Sequence, residues 1–235
     1  MNTRATRLTA AITAGTILIS SFCNSLYADE PDWAFYGKYA GENKTLIEEG
    51  KAGHIKAVLY GDSITEGWAR QDAKFLSDNN LVGRGISGQT TTQILARMNQ
   101  DVVSLRPEYV VILCGINDIA KNGGCAPDVE RAVGNIKSMC EIALANKIKP
   151  IVCALLPSYK VGWRPACGDI RPQVEKFNSL LKEYAKTRKI SYADYWTLFA
   201  DKDGKMPEKY SNDSIHPNIE GYKIMEEYIL CFIRK

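Results

Sequence analysis

Two uninterrupted apolar runs constrain the fold of this chain more than any other feature of its sequence. They are V-V-I-L-C at residues 110–114 and I-V-C-A-L-L at residues 151–156. A strand with one face in water alternates apolar and polar residues, whereas a parallel strand covered on both faces is continuously apolar. The runs therefore predict strands over residues 109–113 and 151–156, buried in the interior of a parallel sheet.

Shorter apolar segments extend this pattern into an alternation of strands and helices. Further strands are predicted at residues 57–60, 81–82 and 190–193, with helical periodicity over 90–99, 128–146, 173–188 and 219–232. Such alternation is typical of a βαβ array with right-handed crossovers, which predicts the α/β class and a three-layer α/β/α sandwich. Chemistry on a sheet of this kind is expected outside the carboxyl ends of its strands.

The first 28 residues have the layout of a secretory signal peptide. Arg4 and Arg7 precede a largely uncharged stretch, and acidic residues follow Ala28. The stretch is short and interrupted by Thr, Ser and Gly, which disfavours a membrane span. We expect cleavage after Ala28 and a secreted or periplasmic protein. A lipid anchor on Cys23 is disfavoured, because Phe22 precedes it, whereas lipid-modified cysteines normally follow a small residue.

Charge excludes one class of partner. The full chain carries a formal net charge of +3, and removal of the signal peptide leaves 28 basic and 27 acidic residues, a net charge of +1. No Lys/Arg cluster of the kind that follows a phosphate backbone is present, so nucleic acid is not an expected partner. Stable membrane insertion after cleavage is not expected either, and the oligomeric state is left open.

The cysteines and histidines indicate neither a fixed disulfide pattern nor a metal. Six of the seven cysteines lie in the mature chain, where an oxidising compartment would permit disulfides. Their spacing does not determine the pairing; Cys125 with Cys167, both in Gly/Pro-rich loops, is the pair we favour if one forms. Without a paired C-x-x-C motif or a histidine cluster, no metal site is predicted.

A serine stands at the first bend beyond the first predicted strand. The segment G-D-S-I-T-E-G at residues 61–67 places Ser63 there, but a serine hydroxyl needs a base and oxyanion donors to react. His54 precedes that strand, at the opposite end of the sheet. His216 follows Asp213 by three residues in a polar loop, so one turn can carry a carboxylate and an imidazole. Asp213 could then orient His216, which would take the Ser63 proton.

Two further loops offer donors for an oxyanion. R-G-I-S-G-Q-T-T at residues 84–91 follows the second strand, and the Gly88 N–H could approach a substrate without a Cβ in the way. L-C-G-I-N-D at residues 113–118 follows the third strand and offers the Asn117 amide. Each has an ordinary alternative: a glycine turn for the first, and a helix cap or Asx turn for the second.

The four segments in this order resemble the SGNH hydrolase superfamily, the GDSL esterases and lipases. The resemblance runs from about Lys56 to Ile233. It implies a flavodoxin-like sheet of about five parallel strands in the order 2-1-3-4-5, and no cofactor. It also implies a catalytic triad of Ser63, Asp213 and His216, with Ser63, Gly88 and Asn117 as oxyanion donors.

The chain divides into three expected parts, and one residue departs from the family pattern. We expect a signal peptide over residues 1–28, an aromatic N-terminal extension over 29–55 that packs on the domain, and the hydrolase domain over 56–235. Many relatives have asparagine where this chain has Arg84, which we interpret as a specificity difference. The α/β-hydrolase fold is disfavoured, because its G-x-S-x-G motif is absent.

The resemblance implies a serine esterase that forms an acyl-enzyme. The likeness to secreted acetylesterases of polysaccharide breakdown predicts removal of short acyl groups, chiefly acetyl, from a small-molecule or glycan ester. Tyr159, Trp163 and Arg164 lie in a long loop after the fourth strand and could contact a sugar, although Trp163 could equally pack the loop against the core. The alternatives are a periplasmic thioesterase or lysophospholipase, and a non-catalytic carbohydrate-binding protein on the same fold.

Overall fold

A five-stranded parallel sheet forms the centre of the protein. The computed structural model describes residues 32–123 and 128–233. The chain divides into Met1–Trp33 and Ala34–Lys235, and every element below belongs to the second unit. The strands are β1 (Ala57–Gly61), β2 (Leu81–Gly85), β3 (Tyr109–Leu113), β4 (Lys149–Cys153) and β5 (Ser191–Ala193). Their order is β2-β1-β3-β4-β5, and each neighbouring pair is parallel, which confirms the predicted fold class and order.

Helices connect the strands and cover the sheet. The crossovers from β1 to β2 and from β3 towards β5 run in opposite directions along the sheet. With the right-handed connection that parallel strands adopt, their helices lie on opposite faces. All residues of β1 and β3 are consequently buried, and for β3 the apolar run at residues 110–114 predicts this burial. The helices are α1 (Gly37–Glu48), α2 (Ser63–Gln71), α3 (Ala73–Asp78), α4 (Thr91–Ala96), α5 (Met98–Asp101), α6 (Ile116–Ile119), α7 (Val129–Ala145), α8 (Arg171–Arg188), α9 (Tyr195–Phe199) and α10 (Ile219–Ile233).

The last helix packs on the helix that begins at Ser63. The Tyr222 hydroxyl of α10 donates to the Ile64 carbonyl at 2.8 Å, and the Trp68 indole N–H of α2 donates to Glu226 at 3.0 Å. Trp68 is almost fully buried and stacks on Tyr222 with ring centroids 6.0 Å apart. Burial of an aromatic side chain of this size contributes about 1.5–3 kcal/mol. The C-terminal helix therefore fixes the position of α2.

Strand β4 ends three residues before its apolar run does. Ala154, Leu155 and Leu156 are buried, but they lie beyond the strand, which ends at Cys153. The side-chain amide of Asn178 in α8 replaces a neighbouring strand there: Leu155 N–H donates to Asn178 Oδ1 at 2.7 Å, and Asn178 Nδ2 donates to the Leu155 carbonyl at 3.0 Å. An apolar run reports burial, and burial continues after the strand hydrogen bonds stop. The predicted helix over residues 90–99 likewise divides into α4 and α5.

Helix α1 lies against the segment that leads from β2 to β3. Asn43 of α1 donates to Asp101 at 2.7 Å and accepts from Arg84 Nε at 2.8 Å. Arg84 is 3% exposed, and its guanidinium also bonds to Glu42 and stacks over the Tyr39 ring at 4.7 Å. The structure thus gives Arg84 a packing role under α1, where the sequence suggested a specificity difference.

Several predictions fall on residues that the structure does not describe. The predicted signal peptide with Cys23, and Cys125 of the suggested pair with Cys167, lie outside residues 32–123 and 128–233. Cleavage after Ala28 and that disulfide therefore stay predictions. Within the described ranges, no helix is both long and apolar enough to cross a membrane.

Candidate active site

The position of Ser63 is set by the end of strand β1 and the start of helix α2. Asp62 caps α2, its Oδ1 accepting from the Ile64 N–H at 3.1 Å, and Ser63 is the first residue of the helix. The turn lies so close to β3 that a Cβ at Gly61 would collide with the Leu113 carbonyl oxygen. The N-terminus of this nine-residue helix carries the positive end of its dipole, which favours an anion beside Ser63.

Ser63, His216 and Asp213 form a continuous hydrogen-bonded chain. Ser63 Oγ lies 2.8 Å from His216 Nε2, and His216 Nδ1 lies 2.7 Å from Asp213 Oδ2. The second carboxylate oxygen, Asp213 Oδ1, accepts from the backbone N–H groups of Ile215 at 2.9 Å and His216 at 2.8 Å. One carboxylate therefore fixes both the backbone turn and the imidazole. His54 lies instead in the turn before β1, where its carbonyl accepts from Asn80.

Asp213 and His216 each stabilise the charged form of the other. The hydrogen bond to Asp213 raises the pKa of His216 above its usual value, against the opposing effect of burial. Burial acts to raise the pKa of Asp213, but the hydrogen bonds from His216 and the Ile215 N–H outweigh it and hold that pKa well below the usual range. The arrangement thus favours an imidazolium beside an ionised carboxylate, the state formed when the base takes a proton.

The loop after β2 is held against helix α2. Gly88 has a φ of +79°, in the left-handed region that favours glycine, and a Cβ there would meet open space. One residue earlier, the Ser87 N–H donates to Glu66 of α2 at 2.8 Å. One residue later, the Gln89 side chain donates to the Ala34 carbonyl at 2.9 Å, so the chain before α1 also holds this loop.

Asn117 reaches the same loop from the end of β3. It is 1% exposed, and its Nδ2 donates to the Gln89 carbonyl at 3.1 Å. Its Oδ1 accepts from Asn122 Nδ2 at 2.7 Å. The NH₂ group of Asn117 therefore points to the loop that holds Gly88. These are the two residues beyond Ser63 that the sequence predicts as oxyanion donors.

Of the three predicted sugar contacts, Trp163 is the one that the structure places beside the histidine. Its ring lies 6.0 Å from that of His216 and is 46% exposed. Arg164 donates to the Lys121 carbonyl at 2.8 Å and so ties the loop to the segment after α6. The Tyr159 ring lies beside two ammonium groups, those of Lys160 at 5.1 Å and Lys205 at 5.3 Å.

Sequence reasoning missed three carboxyl groups that shape the site. Asp62 is fully buried, and burial raises its pKa to about 7; its Oδ2 has no hydrogen-bond partner among the described residues. Burial raises the pKa of Asp118 to about 6, and its carboxylate accepts from the N–H and hydroxyl of Thr91 at the start of α4. Glu66 binds Ser87, as above. Asp62 and Asp118 flank Ser63 and Asn117 in the quoted motifs, but nothing in those motifs marks them as buried.

The described residues contain no group of three or more His, Cys, Asp or Glu side chains arranged to hold a metal ion. The chemistry that the site offers is nucleophilic. A serine hydroxyl is hydrogen-bonded to an oriented imidazole at a helix N-terminus, beside a loop whose backbone and amide donors can face an oxyanion.

Known proteins are similar to this chain in sequence and fold. Residues 59–224 match the model of the GDSL-like Lipase/Acylhydrolase family. The crystal structure of a GDSL-like lipase from Bacteroides thetaiotaomicron is 38% identical and superimposes with a TM-score of 0.81, covering 86% of this chain and 98% of the other. An acetylxylan esterase from Geobacillus stearothermophilus is 24% identical over 155 residues, covering 64% of this chain and 70% of that protein. The lipoprotein YqeF of Bacillus subtilis, whose function is uncharacterized, is 27% identical over 182 residues, covering 65% and 75%.

Proposed function

The chain belongs to the GDSL-like lipase/acylhydrolase family and is a carboxylic ester hydrolase, and we propose that it removes acetyl groups from carbohydrates through an acyl-enzyme on Ser63. One observation carries the mechanism: the hydrogen-bonded chain Ser63–His216–Asp213, with distances of 2.8 and 2.7 Å. It supplies the nucleophile, the base and the group that orients the base.

In the first step, His216 Nε2 takes the proton as Ser63 Oγ attacks the ester carbonyl. The imidazolium is stabilised by Asp213, whose hydrogen bond raises the pKa of His216. The tetrahedral oxyanion faces the N–H groups of Ser63 and Gly88 and the Nδ2 of Asn117. When the carbon–oxygen bond to the alcohol breaks, His216 returns its proton to the leaving oxygen, and the acyl group stays on Ser63.

In the second step, water attacks the acyl-enzyme from the position that the alcohol has left. His216 takes a proton from this water, and the same donors receive the second oxyanion. Collapse of that intermediate releases the carboxylic acid and returns the proton to Ser63 Oγ. Each step uses the imidazole once as base and once as acid, so no other proton carrier is required.

Two features support a short acyl group on a carbohydrate. The described chain between β4 and α8 has one short 3₁₀ helix, Pro165–Cys167, and no amphipathic lid helix to bind a long acyl chain. Trp163, which is half-exposed and 6.0 Å from the His216 ring, offers an aromatic surface that suits the apolar face of a sugar ring. The acetylxylan esterase relative favours the same class of substrate.

We expect nitrophenyl acetate to be hydrolysed with a kcat/KM at least as high as that of the long-chain (decanoyl) ester, because a site without a lid gains little from added methylenes. Release of acetate from a panel of acetylated sugars and polysaccharides then identifies the carbohydrate. A preference for the long-chain ester, or for a thioester, would contradict the proposal and favour a lysophospholipase or thioesterase.

Activity should decline in acid at a pH above the ordinary histidine pKa of about 6.5, because only neutral His216 can take the Ser63 proton. The hydrogen bond to Asp213 raises the pKa of His216, so the acid limb of kcat/KM moves upward. Asp62 titrates in the same range, with a pKa of about 7. Asp62→Asn keeps the helix cap and removes that group together with its smaller contribution to the raised His216 pKa. The limb should therefore move down in this variant but stay above about 6.5, because the hydrogen bond to Asp213 remains. A wild-type limb below that value would contradict the assignment of the base.

We also propose export, which is supported by the sequence of residues 1–28. The similarity to a Bacillus subtilis lipoprotein agrees with an exported protein. N-terminal sequencing of the protein recovered from culture medium or periplasm tests cleavage after Ala28. Recovery of the full-length chain from the cytoplasm alone would contradict it.

A further inference from the structure

We infer that Asn122 is a positioning residue that sets the direction of the Asn117 amide, and that Trp163 in turn sets the direction of Asn122. The inference rests on the proposed acyl transfer at Ser63, since it assigns how one oxyanion donor of that reaction is held. It concerns three side chains that come from two separate segments, helix α6 with the turn that follows it and the loop after β4.

The three side chains form one directed chain of hydrogen bonds. Trp163 Nε1 donates to Asn122 Oδ1 at 3.1 Å, and Asn122 Nδ2 donates to Asn117 Oδ1 at 2.7 Å. Asn117 Nδ2 then donates to the Gln89 carbonyl at 3.1 Å. The same Asn122 Nδ2 lies 3.4 Å from the Gly88 carbonyl, so Asn122 contacts two of the three residues assigned to the oxyanion hole.

The direction of this chain follows from the groups at its two ends. An asparagine amide can be turned by about 180° at little cost in shape, which exchanges its donor and its acceptor. The indole N–H of Trp163 can only donate, so it must meet Asn122 Oδ1; the Gln89 carbonyl can only accept, so it must meet Asn117 Nδ2. Between those ends both amides have a single consistent orientation, in which Asn117 directs NH₂ to the loop that holds Gly88.

The orientation matters because the wrong one reverses the sign of the electrostatic interaction. With the amide turned, Asn117 would present a carbonyl oxygen to the developing oxyanion, and repulsion would replace stabilisation. Asn117 is 1% exposed, so water has little access to its buried amide. One of its two amide protons is held by Gln89, and the other is left for the substrate.

Trp163 links this chain of hydrogen bonds to the base, His216. Its ring lies 6.0 Å from the His216 ring, while its N–H is bound to Asn122. A backbone hydrogen bond also joins the two asparagines, since the Asn122 N–H donates to the Asn117 carbonyl at 2.9 Å. Asn122 therefore connects Trp163, which lies beside His216, to Asn117, the donor that faces the oxyanion.

A purely structural role for Asn122, in closing the turn after α6, gives different expectations. It would lower the Tm of Asn122→Ala, and any loss of rate would be independent of Asn117. A positioning role predicts instead a loss in kcat that requires Asn117 to be present. A double-mutant cycle separates the two, because it measures the coupling between the residues directly.

The experiment measures kcat and KM for nitrophenyl acetate in Asn117→Ala, Asn122→Ala and the double variant. We expect Asn117→Ala to lower kcat about 10²- to 10³-fold, as for removal of an oxyanion donor. We expect Asn122→Ala to lower kcat about 10- to 100-fold through misplacement of that donor, with KM changed far less. In the Asn117→Ala background, Asn122→Ala should cost less than about threefold more.

Two further variants keep the test decisive if Asn122→Ala is destabilised. Asn122→Asp has nearly the same volume but places an oxygen against Asn117 Oδ1, so it should lose at least as much kcat as Asn122→Ala. Trp163→Phe keeps an aromatic ring and loses the N–H, and its loss should shrink when Asn122 is alanine. Asn146→Ala, which removes an exposed asparagine at the end of α7, is the matched control and should leave kcat unchanged.

Wild-type kcat in Asn122→Asp, or fully additive losses in the cycle, would overturn the inference while leaving the proposed function intact. Ser63→Ala distinguishes the two failures. If the wild-type enzyme hydrolyses the ester and Ser63→Ala retains that activity, the proposed function fails and the inference fails with it. If Ser63→Ala is inactive, the Asn122 variants decide the inference alone.

Discussion

Ser63→Ala lowers kcat for nitrophenyl acetate by about 10⁶-fold, the loss expected when a triad nucleophile is removed. The hydroxyl is the atom that forms the acyl-enzyme, and no other group in the hydrogen-bonded chain can replace it. Its one hydrogen-bonded side-chain contact in the described structure is His216 Nε2 at 2.8 Å, so the variant should fold normally. Steady-state rates with Tm measured in parallel test both expectations.

The matched control is Ser138→Ala. Ser138 lies on α7, where its hydroxyl donates only locally, to the Gly134 carbonyl at 3.1 Å. It should retain wild-type kcat and KM. A Ser63→Ala enzyme that keeps more than about 1% of the wild-type kcat would be inconsistent with a covalent role for this serine.

Asp213→Asn lowers kcat by about 10⁴-fold, because the substitution reverses the hydrogen bonding of the imidazole. Asp213 Oδ2 accepts from His216 Nδ1, which leaves Nε2 free to take the Ser63 proton. An asparagine NH₂ at that position would donate to Nδ1 and place the imidazole proton on Nε2. The carboxylate that stabilises the imidazolium would be lost as well.

The fold should survive this change. The amide oxygen of the introduced asparagine would still accept from the N–H groups of Ile215 and His216, the two bonds that Asp213 Oδ1 accepts in the native turn. Asp78→Asn is the control, since Asp78 is an exposed aspartate paired with Lys74 on the surface helix α3. If Asp213→Asn stays within about tenfold of the wild-type kcat, Asp213 does not hold the base, and the triad assignment is wrong.

The architecture could be predicted because its signals are local and repeated. Continuous apolar runs identify strands buried on both faces, and the helical patterns between them determine the βαβ topology. The run at residues 151–156 shows the limit of this reasoning. Burial extends through Leu156, but the strand ends at Cys153, because the side chain of Asn178 takes over the hydrogen bonds of Leu155. A side chain 23 residues away leaves no trace in local periodicity.

The candidate site was predictable where chemistry depends on short spacing. Asp213 and His216 are three residues apart on one turn, and Ser63 follows a strand directly, so both features are visible in the sequence. Asn122 was missed because its role depends on contacts with Trp163, 41 residues away, and with Asn117 across the Schellman turn that ends α6, whose left-handed position is held by Lys121 rather than by the usual glycine. The burial of Asp62 and its unpartnered oxygen could not be predicted from the sequence either, since a helix-capping aspartate is usually exposed.

The central claim is that the acyl group passes through Ser63, and trapping the acyl-enzyme tests it most directly. The protein is mixed with nitrophenyl acetate, quenched with acid within the first turnover, digested and analysed by mass spectrometry. The account predicts one added acetyl group per chain, on the peptide that contains Ser63, and none in Ser63→Ala. An active enzyme that carries the acetyl group on another residue, or that turns over without ever carrying one, would contradict it.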